Sequence, residues 1–66
     1  MTARETVDLC YSEHRPPTDA EIDLVIREGS WEDVASLNVK LGCQHKGLRD
    51  RAHVLLREQQ NAILAR

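Results

Sequence analysis

Residues 30–57, SWEDVASLNVKLGCQHKGLRDRAHVLLR, constrain the fold more than any other stretch, because two helical patterns are separated there by one sharp break. Ser30 is suited to an N-cap, where its hydroxyl accepts from a backbone N–H that the first turn leaves orphaned. Asp33 puts negative charge in that turn, on the favourable end of the helix dipole. Trp31, Val34, Ala35 and Leu41 recur at helical spacing and form an apolar face. Gly42 then suits the left-handed position that closes a helix. A second helix starts near Gln44 or His45. Its inner face is Leu48, Ala52, Leu55 and Gln59; its outer face is Lys46, Arg49, Asp50, His53 and Arg57. A helix with a basic outer face, joined by a glycine turn to a shorter helix, is a helix-turn-helix arrangement.

The chain has 66 residues and two aromatics, Tyr11 and Trp31. A domain of this size has a thin core and gains from association. Val7, Leu9, Leu24, Ile63 and Leu64 exceed what one thin core covers, which predicts a homodimer built from the N-terminal segment, the end of the third helix, or both. No apolar run reaches the roughly 18 residues of a membrane span, and the first residues lack an apolar leader. The expectation is a cytoplasmic protein with no membrane partner.

Charge is divided along the chain. Residues 1–34 hold nine acids and three bases, a balance of −6; residues 35–66 hold two acids and six bases, a balance of +4. Halves of opposite sign suggest a basic face for an anionic partner, or a dipolar molecule that self-associates.

In the first half, Val7, Leu9 and Tyr11 alternate with Thr6, Asp8 and Cys10, a strand-like period that Pro16-Pro17 ends. Residues 1–17 are therefore expected as an extended arm or short strand. Thr18 and Glu21 fit a capping box, and Ile22, Val25 and Ile26 give the inner stripe of a helix over 18–28 that Gly29 ends. A helix over 31–41 follows at once, and a third runs from about His45 to Ala65. Asn38 interrupts the apolar stripe of the second and is expected to bond locally. The predicted fold class is all-α: a three-helix helix-turn-helix domain over 18–66 behind an N-terminal arm.

Cys10, His14, Cys43 and His45 have zinc-ligand chemistry, but their spacing does not match a structural zinc site. Two cysteines do not make a disulfide framework in a cytoplasmic chain. Gly29, Gly42 and Gly47 punctuate helices and form no phosphate loop. No serine or cysteine has a base and an orienting acid at hand, and the chain is too short for a pocket that excludes water. The expectation is no enzyme, no metal and no cofactor.

Thr18-Asp19-Ala20-Glu21, Trp31-Glu32-Asp33-Val34-Ala35, Leu41-Gly42 and Leu48-Arg49-Asp50-Arg51-Ala52 together resemble small Myb/SANT-like helix-turn-helix domains, including their bacterial and phage versions. The resemblance covers about residues 17–57. It implies that Trp31 is core and that the third helix enters the major groove of double-stranded DNA. Base contacts would then come from around Gln44, His45, Lys46, Arg49 and His53, with Arg57 on the backbone. Asp50 would either accept from a cytosine amino group or repel phosphate. The function expected is a small DNA-binding transcriptional regulator of phage type. The alternative is a helical protein that binds and inhibits or modulates a host protein through its acidic first half, with Asp19, Glu21, Asp23, Glu28 and Glu32 as contacts. A ribbon-helix-helix dimer with 6–11 as its strand is opposed by the prolines and the third helix.

Overall fold

Four helices follow one another among residues 1–64, the part of the chain that the computed structural model describes: α1 Ala3–Ser12, α2 Asp19–Glu28, α3 Trp31–Lys40 and α4 Lys46–Leu64. The all-α class is as expected, and no strand occurs among the described residues. The expected limits of the last three helices agree to within a residue where they can be compared; the expected end at Ala65 lies outside the described residues.

The N-terminal arm is corrected to a helix. Thr2 and Glu5 form a capping box: the Glu5 N–H donates to Oγ1 of Thr2 (3.2 Å), and the Thr2 N–H donates to Oε1 of Glu5 (3.0 Å). This is the same T-x-x-E signature that starts α2, where Thr18 and Glu21 make the equivalent bonds at 3.2 and 2.8 Å. Ala3, Thr6, Val7 and Cys10 are buried at i, i+3, i+4 and i+7, so the segment has the period of a helix. The Thr6 hydroxyl hides its polarity by donating to the Thr2 carbonyl (2.9 Å). The alternation of Val7, Leu9 and Tyr11 was the misleading pattern: Val7 is core, Leu9 half-buried and Tyr11 exposed.

Ser30 and Asp33 cap α3 reciprocally, with the Ser30 N–H donating to Oδ2 of Asp33 at 3.1 Å. Gly42 ends the helix at φ +66°. The Cys43 N–H reaches the Asn38 carbonyl (2.8 Å) and the Gly42 N–H the Val39 carbonyl (2.9 Å), the paired closure of a Schellman motif. Gly29 works differently. It caps α2 in an extended conformation, with φ −77° and ψ 149°. A Cβ there would lie 2.6 Å from the Val25 carbonyl oxygen and 3.1 Å from the Asp33 Cβ. Gly29 is thus required because a Cβ would strike the last turn of α2 itself, with Asp33 of α3 the next contact, and not by a left-handed turn.

Helices α2 and α3 form the middle of the molecule; α1 and α4 each pack on both of them and not on each other. The core is Ala3 and Val7 from α1, Ile22 and Val25 from α2, Val34 and Leu37 from α3, and Leu48 from α4. Ile26, Leu41, Ala52 and Leu55 close its edge. Trp31, implied to be core by the resemblance, is only half-buried. The side chain that fills the middle of α3 is Leu37, fully buried one turn after Val34. Tyr11 ties α1 to α3: its hydroxyl donates to the Ser36 carbonyl, and Lys40 lies over its ring at 4.8 Å.

Candidate nucleic-acid interface

Helix α4 has 19 residues, about 28 Å at 1.5 Å per residue, and only Leu48 in it is fully buried. It begins just after the Schellman turn. His45 is its N-cap: the Leu48 N–H donates to Nδ1 of His45 (3.2 Å), while the Arg49 N–H donates to the His45 carbonyl (3.0 Å). The imidazole thereby replaces the hydroxyl or carboxylate usual at this position. It is half-buried, and its ring touches the space above Gly47, where a Cβ would sit 3.2 Å from Cε1 and 3.3 Å from the Ile26 side chain. His45, expected among the base contacts, uses its Nδ1 in starting the helix.

Lys46, Arg49, His53 and Arg57 are all exposed. At about 100° per residue they fall within roughly 80° of one another around the α4 axis, so they share one face. Asp50 lies beside that face and approaches Lys46, Nζ to Oδ2 at 3.6 Å. With side chains 83% and 64% exposed, this i,i+4 pair is worth little. Gln44 is exposed in the turn before the helix. His53 and Arg57 also line a shallow groove of about 370 Å³ with Val54, Glu58 and Asn61. Arg51 does not join the face: it is half-buried, and its Nε makes no hydrogen bond among the described residues. The expected site residues other than His45 therefore form one solvent-facing strip that starts at the turn.

The acids of residues 1–34 lie elsewhere. Asp8, Glu13, Asp19, Asp23, Glu28 and Glu32 are exposed on α1, α2, the link between them and the start of α3. Glu21, expected as a contact residue, is committed to the fold. Its two oxygens take both Nη atoms of Arg15 at 2.8 and 2.9 Å, and it also caps α2. The Arg15 guanidinium, with the Thr18 backbone donor, holds the Glu21 carboxyl down to about 2, and the same pairing raises the Arg15 pKa. Asp33 is buried by its capping role, with Arg4 Nη1 3.7 Å from its free oxygen.

A second concavity was not legible beforehand. Arg4, Tyr11, Trp31, Glu32, Ala35, Ser36 and Val39 line an open groove of about 420 Å³ between α1 and α3. It holds both aromatics of the chain, but it becomes visible only once residues 3–12 are helical. The cysteines are not brought together as a site: Cys10 is fully buried, which pushes its thiol pKa up, and Cys43 is exposed. Asn38 donates from Nδ2 to the Cys43 sulfur (3.6 Å), the local bond expected of it. Among the described residues no group of three His, Cys, Asp or Glu side chains is placed to hold a metal ion, and no helix is long and apolar enough to cross a membrane. Comparison with protein-family models, with curated proteins and with solved structures finds no match.

Proposed function

We propose that this protein is a small DNA-binding transcriptional regulator of phage type, acting in the cytoplasm, with α3, the turn and α4 as its helix-turn-helix and α4 in the major groove. The observation that carries this reading is the single exposed strip Lys46, Arg49, His53 and Arg57, which begins at a helix N-terminus and touches none of the protein's own core. In a recognition helix the first turns face base edges and later residues meet the backbone. Arg49 is placed to pair bidentately with guanine, and Gln44 to reach a base or phosphate from the turn. Arg57 is a phosphate contact, and His45 acts through the fold.

Binding to duplex DNA as a function of salt tests this. Arg49→Ala should cost about 1–3 kcal/mol on the specific site and much less on random duplex. Arg57→Ala should weaken both alike and lower the salt slope by about one. Asp50→Ala should tighten binding to every sequence if the acid is repulsive, or lose discrimination if it reads cytosine. A wild-type protein that does not bind duplex at low salt overturns the reading.

A second reading is favoured by the α1/α3 groove. Trp31, Tyr11 and the 66%-exposed Val39 form an apolar hollow between α1 and α3, with Glu32 on its wall, suited to a protein partner. The partner would be a host protein with a basic, apolar surface. Reversing Asp23, Glu28 and Glu32 to Lys should then abolish capture of that partner and leave the helix content unchanged.

A further inference from the structure

The inner stripe of α4 does not stop where the core stops. Leu48, Ala52 and Leu55 use it against α2 and α3; Leu56, Gln59, Ala62 and Ile63 continue it into solvent for more than two further turns. Leu56 is 38% exposed and Ile63 68%. From 48 to 62 the stripe alternates steps of four and three residues, the spacing of a helix face that packs against a neighbour, and Leu56 and Ile63 flank it beyond the core. The overhang also makes the molecule long, 40 × 23 × 17 Å, with a radius of gyration of 12.1 Å against about 11 Å for a compact chain of this length.

We infer that the distal half of α4 is the contact between two copies of this chain, which pair antiparallel about a twofold axis near Gln59. Three features point to a second copy. The first is the polar break in the seam. Gln59 is exposed in the middle of an otherwise apolar stripe. An amide both donates and accepts, so Gln59 complements its own symmetry mate, and a single polar seam position of this kind fixes register. The second is the match on either side of it. A twofold axis there sets Leu56 of one copy against Ala62 of the other and Leu55 against Ile63, large against small and apolar against apolar. The third is the direction. In a parallel pair each copy's α2 and α3 would occupy the space that the partner's α4 needs beside residues 48–55. In the antiparallel pair residues 54–64, about 16 Å of helix, overlap, and the end of each helix reaches only the last turn of the other that packs on the core, at Leu55.

About three turns per copy make a contact at the small end of specific interfaces, so the pair is expected to be weak and reversible. The contact residues Leu55, Leu56, Gln59, Ala62 and Ile63 are centred about 120° around α4 from the strip Lys46, Arg49, His53 and Arg57, at about 100° per residue. Pairing therefore leaves that strip uncovered, and the inference does not depend on what the strip binds.

Sedimentation equilibrium of the full chain, without DNA, should show mass rising from 7.5 kDa towards twice that value through the micromolar range. Ile63→Lys should raise the dissociation constant by about tenfold or more, with the circular dichroism of the monomer unchanged because Ile63 touches no core residue. In a Cys43→Ser background, mild oxidation of a mixture of Leu56→Cys and Ala62→Cys chains should give the mixed disulfide dimer in preference to either homodimer. A wild-type chain that stays monomeric at high micromolar concentration overturns the proposal. So do Leu56→Cys and Ala62→Cys chains that each crosslink alone, the parallel result. So does a dimer that survives Ile63→Lys and is lost with Val39→Lys, which would seat the second copy in the α1/α3 groove.

Discussion

Gly29 and Gly42 look alike in the sequence, each following a helix, yet they are required for different reasons. Gly42 has φ +66° with open space around it, the nearest atom to an added Cβ being the Gln44 side chain at 3.8 Å. The penalty for a side chain there is conformational, about 1–2 kcal/mol, and Asn escapes much of it. Gly29 has an ordinary extended backbone, and its added Cβ would strike the Val25 carbonyl. Its penalty is steric, about 1–3 kcal/mol of displaced packing, and Asn incurs it in full. Chemical denaturation of the two Asn variants should therefore separate them: Gly42→Asn close to wild type, Gly29→Asn clearly destabilised. Equal losses would mean that the crowding of Gly29 against the Val25 carbonyl is not as described. His45 makes a related point. Its type suggests titration or base contact, but its environment makes it a cap.

At the scale of elements, α1 is an integral part of the fold. Val7 is 3% exposed and packs against residues from α2 and α3. Removing its two methyls should cost roughly 2 kcal/mol, from about 0.8 per buried carbon plus the cavity left behind. Val7→Ala should therefore lower the melting temperature by several degrees, about 4–8 °C for each kcal/mol in a domain this small. An extended arm lying on the surface would leave the melting temperature unchanged. The same helix supplies Arg4 and Tyr11 to the groove above Trp31, so α1 shapes a candidate partner surface as well as the core.

For the whole molecule, three of the four helices start with a capping box whose third residue is an acid: Glu5, Glu21 and Asp33. Such a fold is exposed to acid. The Glu21 carboxyl is held at about 2 when folded, against 4.5 for a free glutamate, by Arg15 and the Thr18 N–H. The Glu5 carboxyl is likewise lowered, by the Thr2 backbone N–H. A depressed carboxyl stabilises the native state fully above its unfolded pKa, and that contribution fades as pH falls towards its folded value. The urea midpoint should therefore be level near pH 6 and fall between about 4.5 and about 2. Glu21→Gln should be less stable than wild type at pH 6, and its curve should be flatter in acid. An unchanged slope would show that the Arg15–Glu21 pair does not stabilise the fold in solution.

The sequence by itself determined the elements whose signals are local. The Thr18–Glu21 and Ser30–Asp33 boxes, the Gly42 stop and the placing of charge along α4 are each read within a few residues, because capping and helix closure are contacts between near neighbours. The basic strip on α4 was legible for the same reason: a straight helix fixes which residues share a face. The Thr2–Glu5 box is equally local, but the alternation of Val7, Leu9 and Tyr11 points to a strand. Two patterns competed there, and burial of Ala3, Thr6, Val7 and Cys10 on one side decided for the helix. Only the tertiary structure could decide the rest. Trp31 lies at the lip of a groove while Leu37 fills the centre, because the angles at which α1 and α4 cross α3 select which side chains are covered. His45 caps α4 where Gly47 lies close against Ile26 of α2. The core ends at Leu55 because α2 and α3 are ten residues each and α4 is nineteen, a mismatch that leaves the stripe beyond it exposed among the described residues.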